Sequence, residues 1–443
     1  MPQALTGMLR ILPWLLGLLP LLASADPAHL RIQGSNTIGA ALAPALVRGM
    51  LQAQEASSIE TLPGPVTNEV QVRARDVTGQ PVQIDIAAHG SSTGFTALHN
   101  GKADLAASSR PISDSEVDQL HAFGDLRGVA SEQVIGLDGV AVIVHPDNPL
   151  SRLSIAQLAQ IFSGQVSRWE QLGVSGGAIH VFARDDRSGT FETFKALVLD
   201  PQQVDLAAPA QRFESSEQLA ERVKSDRQAI GFSSLAAVHG ARVLAIAEGQ
   251  APAMLPTPAL VASEDYPLSR RLYLYLPGQG VRAQAQALAE FAQSPAGQAI
   301  VAEQGFISQQ VRALPAPVQA GMPPRYRSLA SDARRLTVNF RFQEGSASLD
   351  SKARRDVQRV TDYLRQSGKL QDQAVLVGFG DPKETPGRAA LLSRLRAMAV
   401  RRELARAGVE VREVTGFGDD LPVAGNDQEQ GRQRNRRVEV WVY

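Results

Sequence analysis

Hydrophobic residues recur along this chain with two different periods, and the two periods alternate. At Val82, Ile84 and Ile86 they occupy every second position, which is typical of a half-buried strand. The Ala- and Leu-rich run 40–52 indicates a helix instead. Because strand-like and helical runs alternate from Leu30 onward, the sequence predicts an α/β layer architecture.

Three strand-to-helix junctions share one composition, rich in Gly, Ser and Thr. They are 34–39 (GSNTIG), 90–94 (GSSTG) and 184–190 (RDDRSGT). Such a loop by itself commonly serves only to cap a helix. In an open α/β sheet, however, these loops gather at the carboxyl ends of the strands, where helix starts offer unpaired N–H groups. Three of them together, with Ser-Ser-Arg at 108–110 as a fourth donor group, favour an oxyanion site.

A second pattern begins after a proline-rich stretch. Residues 313–335 hold four prolines and predict a linker between the first domain, 26–312, and a last one. Beyond it, residues 336–342 alternate between apolar and polar positions as a one-sided strand does. Helical runs and further short strands follow, so residues 336–443 are expected to form a small αβ sandwich.

Composition excludes several functions. The chain has 45 Lys+Arg and 45 Asp+Glu, so its overall charge gives no attraction to nucleic acid or to an acidic membrane. The basic run 432–437 lacks interleaved aromatic residues, and we expect no nucleic-acid partner. The seven histidines show no ligand spacing and there is no cysteine, so we expect no metal, no cofactor and no disulfide.

The first 25 residues predict an export signal. Arg10 closes a short basic region, 11–22 is apolar, and Ala-Ser-Ala at 23–25 fits cleavage before Asp26. The alternative is a membrane anchor, although the apolar run is short for a spanning helix. We therefore expect the mature chain to be soluble in the periplasm, associated with the cell wall or the outer membrane.

Five segments, in this order, resemble the periplasmic phosphate-binding proteins of ABC transporters over residues 30–308. They are GSNTIG, HGSSTGFTALHNGKADLAASSRPIS, DGVAVIVHPDNPLSRLSIAQLAQIFSG, RDDRSGTFETF and YPLSRRLYLYLP. The resemblance implies two α/β lobes that close on the ligand like a clamshell, with the second lobe near 139–240. It also implies an ABC permease as a partner.

The same resemblance assigns phosphate-binding residues motif by motif. They are Thr37, Ile38, Ser91, Ser92, Ser109, Arg184, Ser188, Gly189 and Thr190. At Ser109 some members place an Asp that accepts a proton from bound phosphate and repels sulfate. Asp138, Asp185 or Asp186 could substitute for that carboxylate, so the choice between phosphate, sulfate and other oxyanions stays open at this point.

Residues 336–443 resemble the OmpA-like C-terminal domain that binds peptidoglycan. The markers are FRFQEGSASLD, GFGD, LLSRLRAMAV, LPVAGN and NRRVE. The resemblance implies that Asp381 holds the amine, and Arg396 the carboxylate, of a diaminopimelate side chain. This chain departs from the family's polar residues at four positions, which are Phe379, Gly380, Glu384 and Ala389. The alternative is a domain kept for its fold or for a protein partner.

The expected protein is therefore a non-enzymatic, exported phosphate-binding clamshell anchored to peptidoglycan, acting in phosphate capture, uptake or sensing. One alternative is an envelope structural or adhesive protein whose clamshell has lost its ligand. A second is a serine hydrolase, because Gly-Ser-Ser-Thr-Gly also fits a nucleophile elbow with Ser92 as nucleophile and His145 and His239 downstream.

Overall fold

The structure, a computed structural model, describes residues 28–318, 321–342, 348–383 and 385–443. The predicted export signal and Glu384 lie outside the described residues. Among the described helices, none combines the length and the apolar composition that crossing a bilayer requires.

The first lobe is built on three parallel strands that end at one edge. Its elements are β1 (Ala28–Gly34), α1 (Asn36–Gly39), α2 (Leu42–Ala53), β2 (Ser57–Pro63), β3 (Glu69–Arg75), β4 (Pro81–Ala87), α3 (Ser91–His99), β5 (Leu105–Ser108) and α4 (Asp114–Gln119). Strand β1 lies between β4 and β5 and is parallel to both. The loops after these strands, which carry Ser35, Ser91 and Ser109, therefore meet side by side, as the sequence predicted.

The long strand β6 (Glu132–Val144) leaves the first lobe and enters the second. The second lobe contains β7 (Arg152–Ser154), α5 (Ile155–Phe162), β8 (His180–Arg184), α6 (Gly189–Phe194), β9 (Gln211–Phe213), α7 (Ser216–Ser225), β10 (Ala229–Ser234), β11 (Arg242–Val243), β12 (Ala245–Ala247) and α8 (Pro258–Ala262). Tyr266 and Leu268 are buried in the same apolar cluster as Phe232. The second lobe thus extends past the predicted limit at 240.

Strand β13 (Ser269–Tyr275) returns the chain to the first lobe, where α9 (Ala283–Gln293) and α10 (Pro295–Glu303) complete the core. It pairs antiparallel with both β5 and β6. The strand order is β2-β3-β4-β1-β5-β13-β6-β10-β8-β9. Because β6 and β13 are the strands that pass between the lobes, we call them the hinge strands. The predicted two-lobed α/β fold is confirmed.

The C-terminal part is a five-stranded sheet covered by helices. Its elements are β14 (Ala313–Leu314), α11 (Pro324–Asp332), β15 (Arg334–Phe340), α12 (Ser351–Gln366), β16 (Gln371–Gly378), α13 (Pro386–Arg406), β17 (Glu410–Gly416), α14 (Glu429–Asn435) and β18 (Val438–Val442). The strands lie in the order β14-β15-β18-β16-β17. This is the αβ sandwich that the sequence predicted.

Within the stretch predicted as a linker, 313–335, residues 313–314 and 334–335 belong to the last sheet and 324–332 form a helix that covers it. Strand β14 pairs with β15, and α11 buries Tyr326 and Leu329 in a cluster with Trp441. The prolines do not prevent this, because Pro324 occupies the first turn of α11, where a missing N–H costs nothing. The linker prediction relied on the prolines and did not take the apolar residues of this helix into account.

Candidate oxyanion-binding site

Arg270 and Asp138 form a buried ion pair between the hinge strands. The two residues are directly paired in the β6–β13 register, and Arg270 Nη2 lies 2.6 Å from Asp138 Oδ2. The guanidinium also donates to Thr190 Oγ1 (2.8 Å), Thr37 Oγ1 (3.3 Å) and Ser109 Oγ (3.4 Å). Since Thr190 belongs to the second lobe and the other two hydroxyls to the first, both lobes meet at Arg270.

A second buried guanidinium, Arg184, lies at the end of β8. It is 1% exposed and donates to Ser216 Oγ, to Asn36 Oδ1 of the other lobe, and to the carbonyl oxygens of Phe213 and Glu214. All these acceptors are neutral. Within the described part of the chain no carboxylate forms an ion pair with Arg184, which distinguishes it from Arg270.

The charge of the site therefore comes from Arg184. Burial lowers the pKa of Arg184 to about 10; the charge of Asp185 opposes this shift and that of Arg270 adds to it. The guanidinium is still protonated at neutral pH. Asp138 neutralises Arg270, so Arg184 is left as a buried positive charge with no ion-pair partner among the described residues. A buried charge of this kind is costly unless an ion of opposite sign joins it.

Serine and threonine hydroxyls cluster around the two arginines. Ser35 Oγ donates to Ser109 Oγ at 3.1 Å, and Ser91 Oγ accepts from the Ser109 N–H at 3.1 Å. Ser188 Oγ caps α6 by accepting from the Thr190 N–H at 3.2 Å. A hydroxyl that accepts in this way keeps its own proton to donate. We call the following residues the cage: Thr37, Ser91, Ser109, Arg184, Ser188, Thr190 and Arg270.

Glycines allow the two lobes to approach closely at the cage. A Cβ on Gly189 would lie 2.2 Å from Ser91 Oγ and 2.3 Å from Ser109 Oγ, both on the opposite lobe. A Cβ on Gly90 would lie 2.0 Å from the Arg187 carbonyl oxygen. No side chain fits at either position without moving backbone or cage hydroxyls, so the lobes are closed against each other here.

Two of the nine predicted phosphate-binding residues do not direct their side chains to the hydrogen bonds of the cage. The Ile38 side chain is fully buried in the core of the first lobe, so only its backbone N–H is available for a ligand. Ser92 is half-buried in the first turn of α3, and its hydroxyl has no hydrogen bond to any cage residue that the structure describes. Nor does any described histidine nitrogen hydrogen-bond to the Ser92 hydroxyl, the contact that a serine nucleophile needs.

Arg270 is the residue that sequence reasoning missed. The segment YPLSRRLYLYLP contributes to the family resemblance, and no role is predicted for its arginines. The available signal was two adjacent cations in an otherwise apolar strand, because a buried strand tolerates a charge only when it is paired.

Two of the three carboxylates considered as substitutes for the missing family Asp, Asp138 and Asp186, are engaged in ion pairs. Asp138 accepts from Arg270 and from the Leu235 N–H. Asp186 is 85% exposed and pairs with Arg212. No group of three or more His, Asp or Glu side chains among the described residues is placed to hold a metal ion.

The predicted wall-peptide residues lie together in the C-terminal domain, but only one is free of internal pairing. Asp381 Oδ2 accepts from Lys383 Nζ at 2.7 Å, and Arg436 donates to both carboxylate oxygens at 3.0 and 3.1 Å. Burial raises the pKa of Asp381, but these hydrogen bonds outweigh it and hold that pKa well below its usual range. Arg396 has no hydrogen-bond partner among the described residues, and burial lowers its pKa, with the charge of Asp381 opposing this shift and that of Arg436 adding to it.

Three of the four departures from the family pattern lie among the described residues. Phe379 is fully buried and stacks edge-on against Tyr326. A Cβ on Gly380 would lie 2.9 Å from Arg396 Nη1, so the glycine gives this guanidinium its room. Ala389 is 2% exposed, and a Cβ on Gly418 would lie 3.3 Å from its Cβ.

A family model described as a PBP superfamily domain matches residues 48–296. The phosphate-binding protein PstS of Pseudomonas aeruginosa is 30% identical over 244 residues, which cover 51% of this chain and 74% of that protein. The chain belongs to the PstS family of the PBP superfamily. An OmpA family model matches 341–436, so this PstS-family chain also carries an OmpA-like domain.

Further comparisons agree with this assignment. Protein SphX of Synechococcus elongatus is 26% identical over 295 residues, covering 63% of this chain and 82% of that protein. A substrate-binding protein from Clostridium perfringens, solved with bound phosphate, superposes with a TM-score of 0.51 at 23% identity and covers 63% of this chain and 99% of its own. At that identity the likeness supports the fold of this PstS-family protein.

Proposed function

We propose that this protein binds phosphate, or a closely related oxyanion, in the cage between its two lobes. The observation that carries the proposal is Arg184, a buried cation whose acceptors are all neutral. Hydroxyls from both lobes and the adjacent Arg270 supply further donors to an oxyanion beside it. A PstS relative that is named as phosphate-binding supports phosphate as the ligand.

The binding role needs no chemical step. The cage offers donors and one unpaired charge, whereas Ser92 lacks the hydrogen-bonded base that would make it a nucleophile. The non-enzymatic role therefore fits the geometry best, in agreement with a relative that is named as a phosphate-binding protein.

We propose in addition that the OmpA-like domain holds the clamshell at the cell wall outside the cytoplasm. Arg396, which has no hydrogen-bond partner among the described residues, would take the carboxylate of the wall peptide, and Asp381 its amine. A clamshell anchored in this way would act in local phosphate capture, for a permease or for sensing.

Titration calorimetry of the purified mature chain with phosphate and with sulfate tests the binding role. Heat with phosphate that saturates at one ion per chain is expected. Absence of heat with both ions would contradict the proposal and favour a clamshell that serves only a structural role in the envelope. Saturation with sulfate alone would support an oxyanion site in the cage and identify its ligand as sulfate rather than phosphate.

A further inference from the structure

The OmpA-like domain lies against the hinge strands on the face opposite the cage. Arg270 and Arg271 are neighbours on β13, and successive side chains of a strand point to opposite faces. Arg270 reaches the cage, whereas Arg271 donates to Asp350 of the OmpA-like domain at 2.9 Å and to Glu264 at 2.6 Å. One strand therefore contacts the candidate ligand site and the C-terminal domain.

The second lobe contributes buried polar contacts to this domain interface. Asp265 is 1% exposed and accepts from Arg335 at 2.7 Å and from Asn339 at 2.8 Å, both on β15. Near the end of α14, Arg434 pairs with Glu248 of the second lobe. Ion pairs between buried or half-buried groups, such as these two, form only in one relative position of the two surfaces.

Helix α12 of the OmpA-like domain makes a separate set of contacts with the first lobe. Ser351 donates to the Glu132 carboxylate, and Arg355 donates to the Val129 carbonyl oxygen. Further along the helix, Arg359 Nη2 donates to Gln293 Oε1 at 2.6 Å. The OmpA-like domain thus holds both lobes at once.

The lobes are closed in this docked arrangement. Across the cleft, Thr37 Oγ1 and Thr190 Oγ1 lie 3.2 Å apart, and Arg110 of the first lobe pairs with Glu192 of the second. Opening a clamshell rotates one lobe against the other about the hinge. Such a rotation changes the spacing between the contacts on the two lobes, and a domain that holds both fits one arrangement only.

We infer that docking of the OmpA-like domain and closure of the clamshell on its ligand are coupled. The docked domain stabilises the closed lobes, so it raises the affinity for the ligand. Linkage requires the reverse as well: the ligand tightens docking of the domain. This inference rests on the proposed function, because it needs a ligand that favours the closed state.

The test measures phosphate affinity by calorimetry in the full mature chain. Glu248→Arg is expected to weaken phosphate binding by about fivefold or more, because it breaks a domain contact far from the cage. Arg434→Glu should do the same, and the double variant with both exchanges should restore the affinity. Glu170→Arg, at an exposed ion pair of the same lobe, is the matched control and should leave the affinity unchanged.

A second readout follows docking itself. Phosphate should slow amide hydrogen exchange in peptides that cover 129–132 and 348–355 of the wild-type chain, and slow it less in Glu248→Arg. If the wild type binds phosphate and both single variants bind equally well, the coupling is wrong and the proposed function stands. If the wild type binds no phosphate, both the coupling and the proposed function are overturned.

An independent observation concerns the outer face of α13. Leu391, Leu395 and Met398 recur at helical spacing and are 58%, 54% and 36% exposed. Helical geometry places Arg394 and Arg401 on one side of this stripe and Arg402 in line with it, one turn beyond Met398. Among the described residues none of these arginines has an ion-pair partner. The opposite face of the helix is buried in the domain, so the stripe is not part of its core.

The geometry points to an anionic lipid surface as the occupant of this face. A polyanion in solution would require the arginines but not an exposed stripe of two leucines and a methionine. At a bilayer surface the apolar side chains enter the boundary of the acyl chains while the arginines meet the headgroup phosphates. The charge and the apolar stripe are thus explained together.

Co-sedimentation of the full mature chain with vesicles tests this assignment. Retention on vesicles containing phosphatidylglycerol is expected, with little on pure phosphatidylcholine. Leu391→Ser combined with Leu395→Ser should reduce retention by about tenfold, whereas Val66→Ser with Val77→Ser, two exposed apolar residues of the first lobe, should not. Equal retention by both double variants, or full displacement by soluble polyphosphate, would overturn the lipid assignment.

Discussion

Asp138 and Arg270 face each other across the two hinge strands, and their carboxylate and guanidinium are buried at 2.6 Å. The pair holds the guanidinium where it reaches hydroxyls of both lobes. Its role is to position Arg270 while neutralising it, which leaves Arg184 to supply the net charge.

The hinge pair predicts a large and asymmetric effect on stability. Arg270→Ala should lower the free energy of unfolding by about 3–5 kcal/mol, because it leaves the Asp138 carboxylate buried without its partner. Removing both groups should cost less than removing one. Urea unfolding of Arg270→Ala, Asp138→Ala and the double variant checks this. Arg168→Ala, at an exposed pair, is the control and is expected within about 0.5 kcal/mol of wild type. Additive losses would contradict the account.

Ser109 predicts weak discrimination between phosphate and sulfate. The cage presents donors, and its nearest carboxylate, Asp138, is occupied by Arg270. Ser109→Asp would add an acceptor for the proton of hydrogen phosphate and repel sulfate, which has none. Competition calorimetry should show the preference for phosphate rising by roughly tenfold or more. An unchanged ratio of the phosphate and sulfate affinities would mean that another group accepts the proton of hydrogen phosphate.

Glu264 predicts loss of stability in acid. Burial raises its pKa, but the charges of Arg271, Lys352 and Arg341 outweigh this and lower the pKa to about 2. In the unfolded chain the pKa is about 4.3, so the unfolded state takes up the proton first as pH falls. The stabilisation is complete above the unfolded value and disappears as pH falls through about 2.

Urea unfolding at a series of pH values measures this contribution. The wild type should lose stability steadily below about pH 4.3, and Glu264→Gln should show a shallower slope over the same window. Equal slopes for the two proteins would contradict the assignment of the shift to Glu264.

The Lys383 ammonium is expected to compete with the amine of the wall peptide for the Asp381 carboxylate. This ammonium occupies Asp381 Oδ2, where the amine of the ligand would bind. Lys383→Ala should therefore increase retention on purified peptidoglycan by about two- to tenfold, whereas Asp381→Ala and Arg396→Ala should reduce it. Arg325→Ala, an exposed cation of the same domain, serves as the control. Retention that is the same in all four variants would contradict the site.

The sequence predicted the fold and much of the site because those features are local. Strand alternation at Val82–Ile86 and the Ser/Gly/Thr junctions specify strands, helix starts and loops by near-neighbour chemistry. Arg270 could not be selected in this way, since its role depends on the register between β6 and β13. Docking of the OmpA-like domain depends on surfaces far apart in sequence, such as Asp265 and Arg335, and no local pattern contains it.

The central claim is that Arg184 supplies the charge that binds the oxyanion. Calorimetric titration of phosphate into Arg184→Ala tests it most directly, with Arg168→Ala as the matched surface control. Arg184→Ala is expected to abolish measurable binding while the control binds as wild type does, with circular dichroism showing both variants folded. Unchanged phosphate affinity in folded Arg184→Ala would contradict the account.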